Sequence, residues 1–270
     1  MATYPPRKKL PPLGALCLDY TDDIHRPPGD PLNEISFQFP LIHEQVKNGT
    51  VQNIVFGGKF SDKFLDAFVD ASNKLADRGA IGIITSCGFL AQVQTRLMER
   101  VKVPVATSSL IQLPMVLLIT NPKKKVAILT FDGSQLGKLH FDGLGLTEQQ
   151  QSRLVVHGCK DDGHLKELII NGKPYIHEEL VKELVSLAKF AIEQDPTIGA
   201  FVLECTQMPP TSKAIQAATG LPVYDVITMI DHFYTGLKAR TLPEDEFKED
   251  GLRIRTRSAK EFGSPDFEKD

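Results

Sequence analysis

Cysteine is scarce in this chain: four among 270 residues, Cys17, Cys87, Cys159 and Cys205, with no CxxC pair. That spacing gives no support to a disulfide framework or a zinc site, so each thiol has to be judged by its surroundings. Long apolar runs are missing as well. No window reaches the roughly eighteen apolar residues of a membrane span, and the opening "MATYPPRKKLPPLG" lacks the apolar core of a signal peptide. The expectation is a soluble, cytoplasmic protein with no membrane partner. Basic runs extend no further than "RKK" and "KKK", and the formal charge is -3. Such a chain has no general attraction for phosphate backbones, so nucleic acid is not an expected partner.

What is present is a rhythm. Apolar runs at 13–20 ("LGALCLDY"), 52–58 ("QNIVFGG"), 80–86 ("AIGIITS"), 124–131 ("KKVAILTF"), 152–158 ("SRLVVHG") and 198–204 ("IGAFVLE") alternate with amphipathic segments. Two of these segments are "SDKFLDAFVDASNKLADRG" and "IHEELVKELVSLAKFAIEQD", apolar at three- and four-residue steps. Continuous apolar strands separated by amphipathic helices predict parallel sheets in an α/β protein. Ser61 before "DKF" and Gly79 after "LADR" predict the two ends of one of those helices.

The rhythm also repeats. Cys205 lies 118 residues after Cys87, Pro222 lies 118 after Pro104, and Asp195 lies 118 after Asp77. The shared offset predicts two similar, pseudo-symmetric open parallel-sheet lobes, flavodoxin-like halves with a cleft between them. The expected organisation is a flexible N-terminus over 1–12, a first lobe over 13–120 and a second over 121–224. The boundary falls at "TNPKKK", whose Asn-Pro reads as a turn. Residues of about 225–240 are expected to complete the first lobe, and 241–270 to form a charged tail.

Cys87 and Cys205 each follow an apolar strand and precede a helical pattern, the place where open parallel sheets bind ligands. A helix N-terminus there favours thiolate over thiol and offers N–H groups to a carboxylate. Facing thiols can remove a proton from one side of a carbon and return it from the other. Cys17 lies inside the first apolar run and reads as core. Cys159, in "VVHGCKDDGH", has His157, Asp161 and His164 around it, but the stretch reads as a polar loop rather than a metal site. The remaining histidines, His25, His43, His140, His177 and His232, share no spacing, and Gly57 with Gly58 reads as a strand-end turn.

The stretches "ITSCGF", "VLECTQMPP" and "LDYTDDIHRPPGDPLNEISFQFP" resemble the cofactor-independent aspartate/glutamate racemase superfamily. That superfamily also contains hydantoin racemases, maleate isomerases and arylmalonate decarboxylases, and the resemblance covers residues 13–237. It implies that Cys87 and Cys205 are the two acid/base residues and that no cofactor or metal takes part. It further implies that Thr206, with the backbone around Gly88 and Phe89, holds a substrate carboxylate while Ser86 positions the first thiol. Asp19, Thr130, Ser134 and Gln207 become further substrate-binding candidates, the hydroxyls by similarity of "ILTFDGSQLGKL" to a second-lobe loop of the family. A homo-oligomer is implied on the same basis.

The main expectation is therefore a racemase or epimerase acting on the α-carbon of a small carboxylate. Four positions depart from that pattern. Gly88 and Phe89 stand where amino acid racemases carry Asn-Thr, Glu204 stands where glycine is common, and Gln207 replaces a histidine or glutamate. The "CGF" motif is also similar to algal lyases of this superfamily that cleave dimethylsulfoniopropionate by taking a proton next to a carboxylate. A lyase or decarboxylase is thus the alternative, and a carboxylate-binding or thiol-redox protein without catalysis the second one.

Overall fold

The computed structural model describes residues 3–19 and 24–242, and most of the expected charged tail, 243–270, lies outside them. Two four-stranded parallel sheets carry the fold. The first contains β1 (Leu13–Leu18), β2 (Leu41–Val46), β3 (Ile83–Thr85) and β4 (Val105–Ala106), in the order β2-β1-β3-β4. The second contains β5 (Lys125–Thr130), β6 (Leu154–Gly158), β7 (Ile198–Leu203) and β8 (Val223–Tyr224), in the order β6-β5-β7-β8. The two halves thus share one topology, an α/β fold of parallel sheets with flanking helices.

The 118-residue echo is visible in the hydrogen bonds. The Ile83 N–H donates to the Pro104 carbonyl at 2.9 Å, and 118 positions later the Phe201 N–H donates to the Pro222 carbonyl at 2.9 Å. Ser86 N–H to Leu16 O (3.2 Å) and Glu204 N–H to Leu129 O (2.8 Å) form a second such pair. Both bonds pull the residue just before a hinge cysteine onto the central strand of its own sheet. The echo marks where each central strand ends and where its loop leaves the sheet.

Central strands are apolar on both faces because helices cover both. In β5 and β7, Val126 through Leu129 and Ala200 through Leu203 are buried. The helix Asp62–Asp77 begins where Ser61 Oγ accepts the Phe64 N–H at 3.1 Å, and the turn after it uses Gly79 at φ +95°. It comes close to the first sheet because Gly14 has no side chain: a Cβ there would stand 2.8 Å from Leu75 Cβ and from Ile83 Cδ1.

One expected strand is a helix. "QNIVFGG" forms a short helix over Val51–Val55, capped by Thr50 Oγ1, which accepts the Asn53 N–H at 3.2 Å. Gly57 and Gly58 therefore follow a helix rather than a strand. The strand of that region is β2, "LIHEQV", an edge strand buried fully only at Leu41 and Val46, so its polar middle conceals it. At the N-terminus, where flexibility is expected, Thr3 bridges to Thr241 and Leu10 is buried.

The helix Val226–Leu237 packs with Leu13, Ala15, Ile84 and Ala106 of the first sheet through Val226, Met229, Ile230 and Tyr234. The Tyr234 hydroxyl donates to the Pro11 carbonyl at 2.9 Å. The chain thus passes from the second sheet back to the first before the described residues end. Among the described residues no helix is long and apolar enough to cross a membrane.

Candidate active site

In each half the chain leaves its sheet through a cysteine two residues past the end of a central strand, Cys87 after β3 and Cys205 after β7. The backbone N–H of Phe89 favours the thiolate of Cys87 and that of Gln207 favours the thiolate of Cys205, an equivalent influence in each half. Both thiols line one cleft of about 280 Å³ together with Ser86, Gly88, Phe89, Glu204 and Thr206. Val51, Val55, Phe131 and Ile169 supply its apolar walls. Thr206 ties the hinges together, its hydroxyl donating to the Ser86 carbonyl at 3.0 Å.

Four of the expected substrate-binding residues, Ser86, Gly88, Phe89 and Thr206, line this cleft with the two cysteines. The other four have different neighbours. Asp19 is half-buried, and its N–H donates to the Gly49 carbonyl at 3.2 Å. The Thr130 hydroxyl donates to Glu204 Oε2 at 2.8 Å. Ser134 donates through both Oγ (2.6 Å) and N–H (2.9 Å) to Asp132 Oδ1, as a turn residue does. The Gln207 side chain donates to the buried carboxylate of Asp30. The residues around Cys159 are used elsewhere too: Asp161 pairs with Lys166 at 2.6 Å, and His164 Nε2 accepts the Ile176 N–H at 3.1 Å.

Burial overturns the expectation of low-pKa thiols. Loss of solvent pushes Cys87 and Cys205 up, and the neighbouring Glu204 pushes both further, against one N–H donor each. The reason lies in the secondary structure. Cys87 is followed by a 3-10 segment, Gly88–Val93, and Cys205 by a turn and the short 3-10 segment Pro209–Thr211, not by long α-helices with aligned dipoles. Both thiols are only 8% exposed.

Glu204 is the carboxyl group of the cleft. It is 1% exposed, and burial pushes its pKa up to about 7, although Oε2 accepts from the Thr130 hydroxyl and from the Phe131 N–H at 3.3 Å. Gly88 lies directly against it, since a Cβ at Gly88 would overlap Glu204 Oε1 and the Glu204 carbonyl oxygen. The departures at Gly88 and Glu204 are therefore a single exchange of volume, the large side chain having moved from one hinge to the other.

A stability effect follows from the raised pKa. Below the unfolded pKa of about 4.5 Glu204 is protonated in both states, and its stabilisation is lost as pH rises through the folded value of about 7. The full loss is about 3 kcal/mol. Glu204→Gln has no proton to lose, so wild-type stability should fall relative to this variant between pH 4.5 and pH 8. Urea unfolding of both proteins across that range checks this, and a constant difference counts against it.

Two neighbours fix the walls and gave no signal in the sequence. Lys166, buried in the helix His164–Asn171, donates to Asp132 Oδ2 at 2.8 Å, and its Nζ stands 5.7 Å from the centre of the Phe131 ring. Burial opposes its charge, but the bonds to Asp132 and Asp161 outweigh that and raise its pKa. His140, held neutral by burial with its pKa lowered to about 4, meets Phe89 edge-on with ring centres 5.2 Å apart.

The relatives decide the family. Over 250 residues the chain is 33% identical to a dimethylsulfoniopropionate lyase of Durusdinium sp. clade D, covering 87% of this chain and 81% of that one. This chain belongs to the dimethylsulfoniopropionate lyase family. A second member, dimethylsulfoniopropionate lyase 7 of Emiliania huxleyi, is 31% identical over 240 residues, covering 85% of this chain and 68% of its own. No family model matches the sequence. The fold of this lyase-family chain is shared with solved decarboxylase and racemase structures. Arylmalonate decarboxylase superposes with a TM-score of 0.55 at 14% identity, over 84% of this chain and 92% of that one. Allantoin racemase from Pseudomonas fluorescens gives 0.54 at 17% identity, over 83% and 90%.

Membership establishes an enzyme and corrects the main sequence-based expectation. The racemase or epimerase reading is overturned, because the relatives at 27–33% identity are lyases. The physical reason for the error is that deprotonation beside a carboxylate opens both reactions. Whether a proton returns or a group leaves depends on the next carbon of the substrate, which the paired thiols do not reveal.

Proposed function

We propose that this chain is a lyase that cleaves dimethylsulfoniopropionate by β-elimination, with the Cys87 and Cys205 thiols as its proton-handling groups. The observation that carries this reading is the 33% identity, over 87% of the chain, to a protein of that named activity. The cleft agrees with it: a small volume, two thiols, polar hinge residues on one side and Val51, Val55, Phe131 and Ile169 on the other. The substrate carboxylate sits at the hinges by Ser86 and Thr206, and the methyl groups on sulfur meet the apolar walls.

One thiolate takes a proton from the carbon next to the carboxylate and becomes a thiol. The C–H electron pair becomes the C=C bond of acrylate. The C–S bond breaks with its electrons on sulfur, so dimethyl sulfide departs uncharged. No proton is needed by the leaving group, and no cofactor enters the balance.

Purified protein given dimethylsulfoniopropionate should release dimethyl sulfide and acrylate in equal amounts, followed by headspace gas chromatography and by proton NMR. Folded protein that releases neither product above a protein-free blank sinks the proposal. The raised thiol pKa values set the sign of the pH response. Thiolate is a minority species at neutral pH, so the enzymatic rate should climb from pH 7 to pH 9. A rate that falls across that interval, in protein that stays folded, excludes a buried thiolate as the base.

A further inference from the structure

Among the described residues Glu204 is the one carboxylate lining the cleft, and nothing in the elimination as written employs it. Its two oxygens differ. Oε2 is held by the Thr130 hydroxyl and the Phe131 N–H, whereas Oε1 accepts no hydrogen bond from any described residue and lies against Gly88 at the cleft. The buried cation nearby, Lys166, is paired with Asp132 and Asp161 and stands beyond the Phe131 ring. A carboxylate that is 1% exposed, with one oxygen unpartnered, needs a counter-charge when it ionises. A substrate can supply it.

We propose that Glu204 is a specificity-determining residue, its free Oε1 recognising a cationic centre on the substrate while the thiols of Cys87 and Cys205 face the carbon to be deprotonated. This rests on the lyase reading and adds to it the half of the substrate that Glu204 selects. The surroundings restrict the kind of cation. Val51, Val55, Ile169 and Phe131 offer contacts to methyl groups and no hydrogen-bond acceptors for an ammonium, so an alkylated onium centre fits better than a primary amine. The same carboxylate repels a second anionic group. Aspartate and glutamate are excluded by charge as well as by the missing Asn-Thr.

The test uses a pair of ligands matched in shape and differing in charge, neither of which eliminates readily. One is the trimethylammonio derivative of propionate; the other is its all-carbon counterpart, with a quaternary carbon in place of nitrogen. Calorimetric titration of the wild-type protein should show the cationic member bound about tenfold tighter or more. Glu204→Gln keeps an acceptor for Thr130 and Phe131 and should bring the ratio close to one, while Glu204→Asp, which keeps the charge, should retain a preference. A ratio unchanged in folded Glu204→Gln overturns the proposal. So does wild-type protein that binds the two ligands equally or binds neither. Because binding is read without turnover, a failure to cleave dimethylsulfoniopropionate leaves this result separately interpretable.

Discussion

Cys87→Ala and Cys205→Ala should lose dimethylsulfoniopropionate cleavage to very different extents. One should fall by about 10²–10⁴-fold, the range that a general base contributes, and the other by much less. The asymmetry follows from the leaving group. A racemase must return a proton to the opposite face, so either thiol is indispensable; dimethyl sulfide leaves as a neutral molecule and asks for no acid. A single base completes the reaction, and the second thiol is left with contact and electrostatic roles in a cleft it helps to line.

The environments of the two thiols are already unequal. Burial and then Glu204 push both thiols up, and at Cys205 the neighbouring Cys87 and Cys159 add to them. Steady-state rates of both variants, with circular dichroism to show that each folds, check the prediction. Equal and complete loss in two folded variants excludes single-base elimination. Serine in place of each cysteine keeps the volume close to native and separates loss of the base from loss of packing.

The fold was legible wherever burial leaves a uniform pattern. β1, β5 and β7 are buried on both sides and read as apolar runs, and the helix Asp62–Asp77 announces itself through Ser61 and Gly79. β2 did not, because an edge strand leaves His43 and Glu44 half-buried and Gln45 exposed in its middle, while the short helix over Val51–Val55 carries apolar residues that mimic a strand. The pair of cleft cysteines was legible through position: a cysteine past each central strand, repeated at an interval of 118 residues. The walls were not. Phe131 and the pair Lys166 and Ile169 come from two different stretches of the second half, and the helix His164–Asn171 meets Phe131 only in the folded chain.

Thr130 and Ser134 show the limit of motif transfer. Neither hydroxyl lines the cleft, and each is committed to a carboxylate of the protein, Glu204 in one case and Asp132 in the other. The chemistry was hidden for a related reason. Gly88 and Glu204 stand out in the sequence as two separate departures, whereas their direct contact exists only in the fold.

Gly88→Ala should be the most damaging small substitution in the cleft, lowering activity by more than about a hundredfold and stability by about 1–3 kcal/mol, as overpacking does. The added methyl group would overlap two atoms of Glu204, the carboxylate Oε1 and the backbone carbonyl oxygen. A flexible carboxylate can swing aside, but here Oε2 is fastened to Thr130 and Phe131, so movement breaks those bonds or pushes the side chain into the substrate's space. The carbonyl oxygen is more constrained still, since the Glu204 N–H is bonded to Leu129 at 2.8 Å and the Leu203 carbonyl to Ser109 at 2.7 Å.

That difference supplies an internal control. Removing the Glu204 side chain in the double variant Gly88→Ala with Glu204→Gly relieves only one of the two overlaps, so thermal stability should recover in part and activity should not return. If the double variant matches Glu204→Gly alone, the backbone overlap has no consequence and the hinge is softer than its hydrogen bonds indicate. If Gly88→Ala itself stays within twofold of wild type, the tight fit between the two hinges does not govern the cleft. The expected outcome explains why this chain departs from the superfamily at both positions together: a side chain at one hinge and a side chain at the other compete for the same volume, and here the acidic one occupies it.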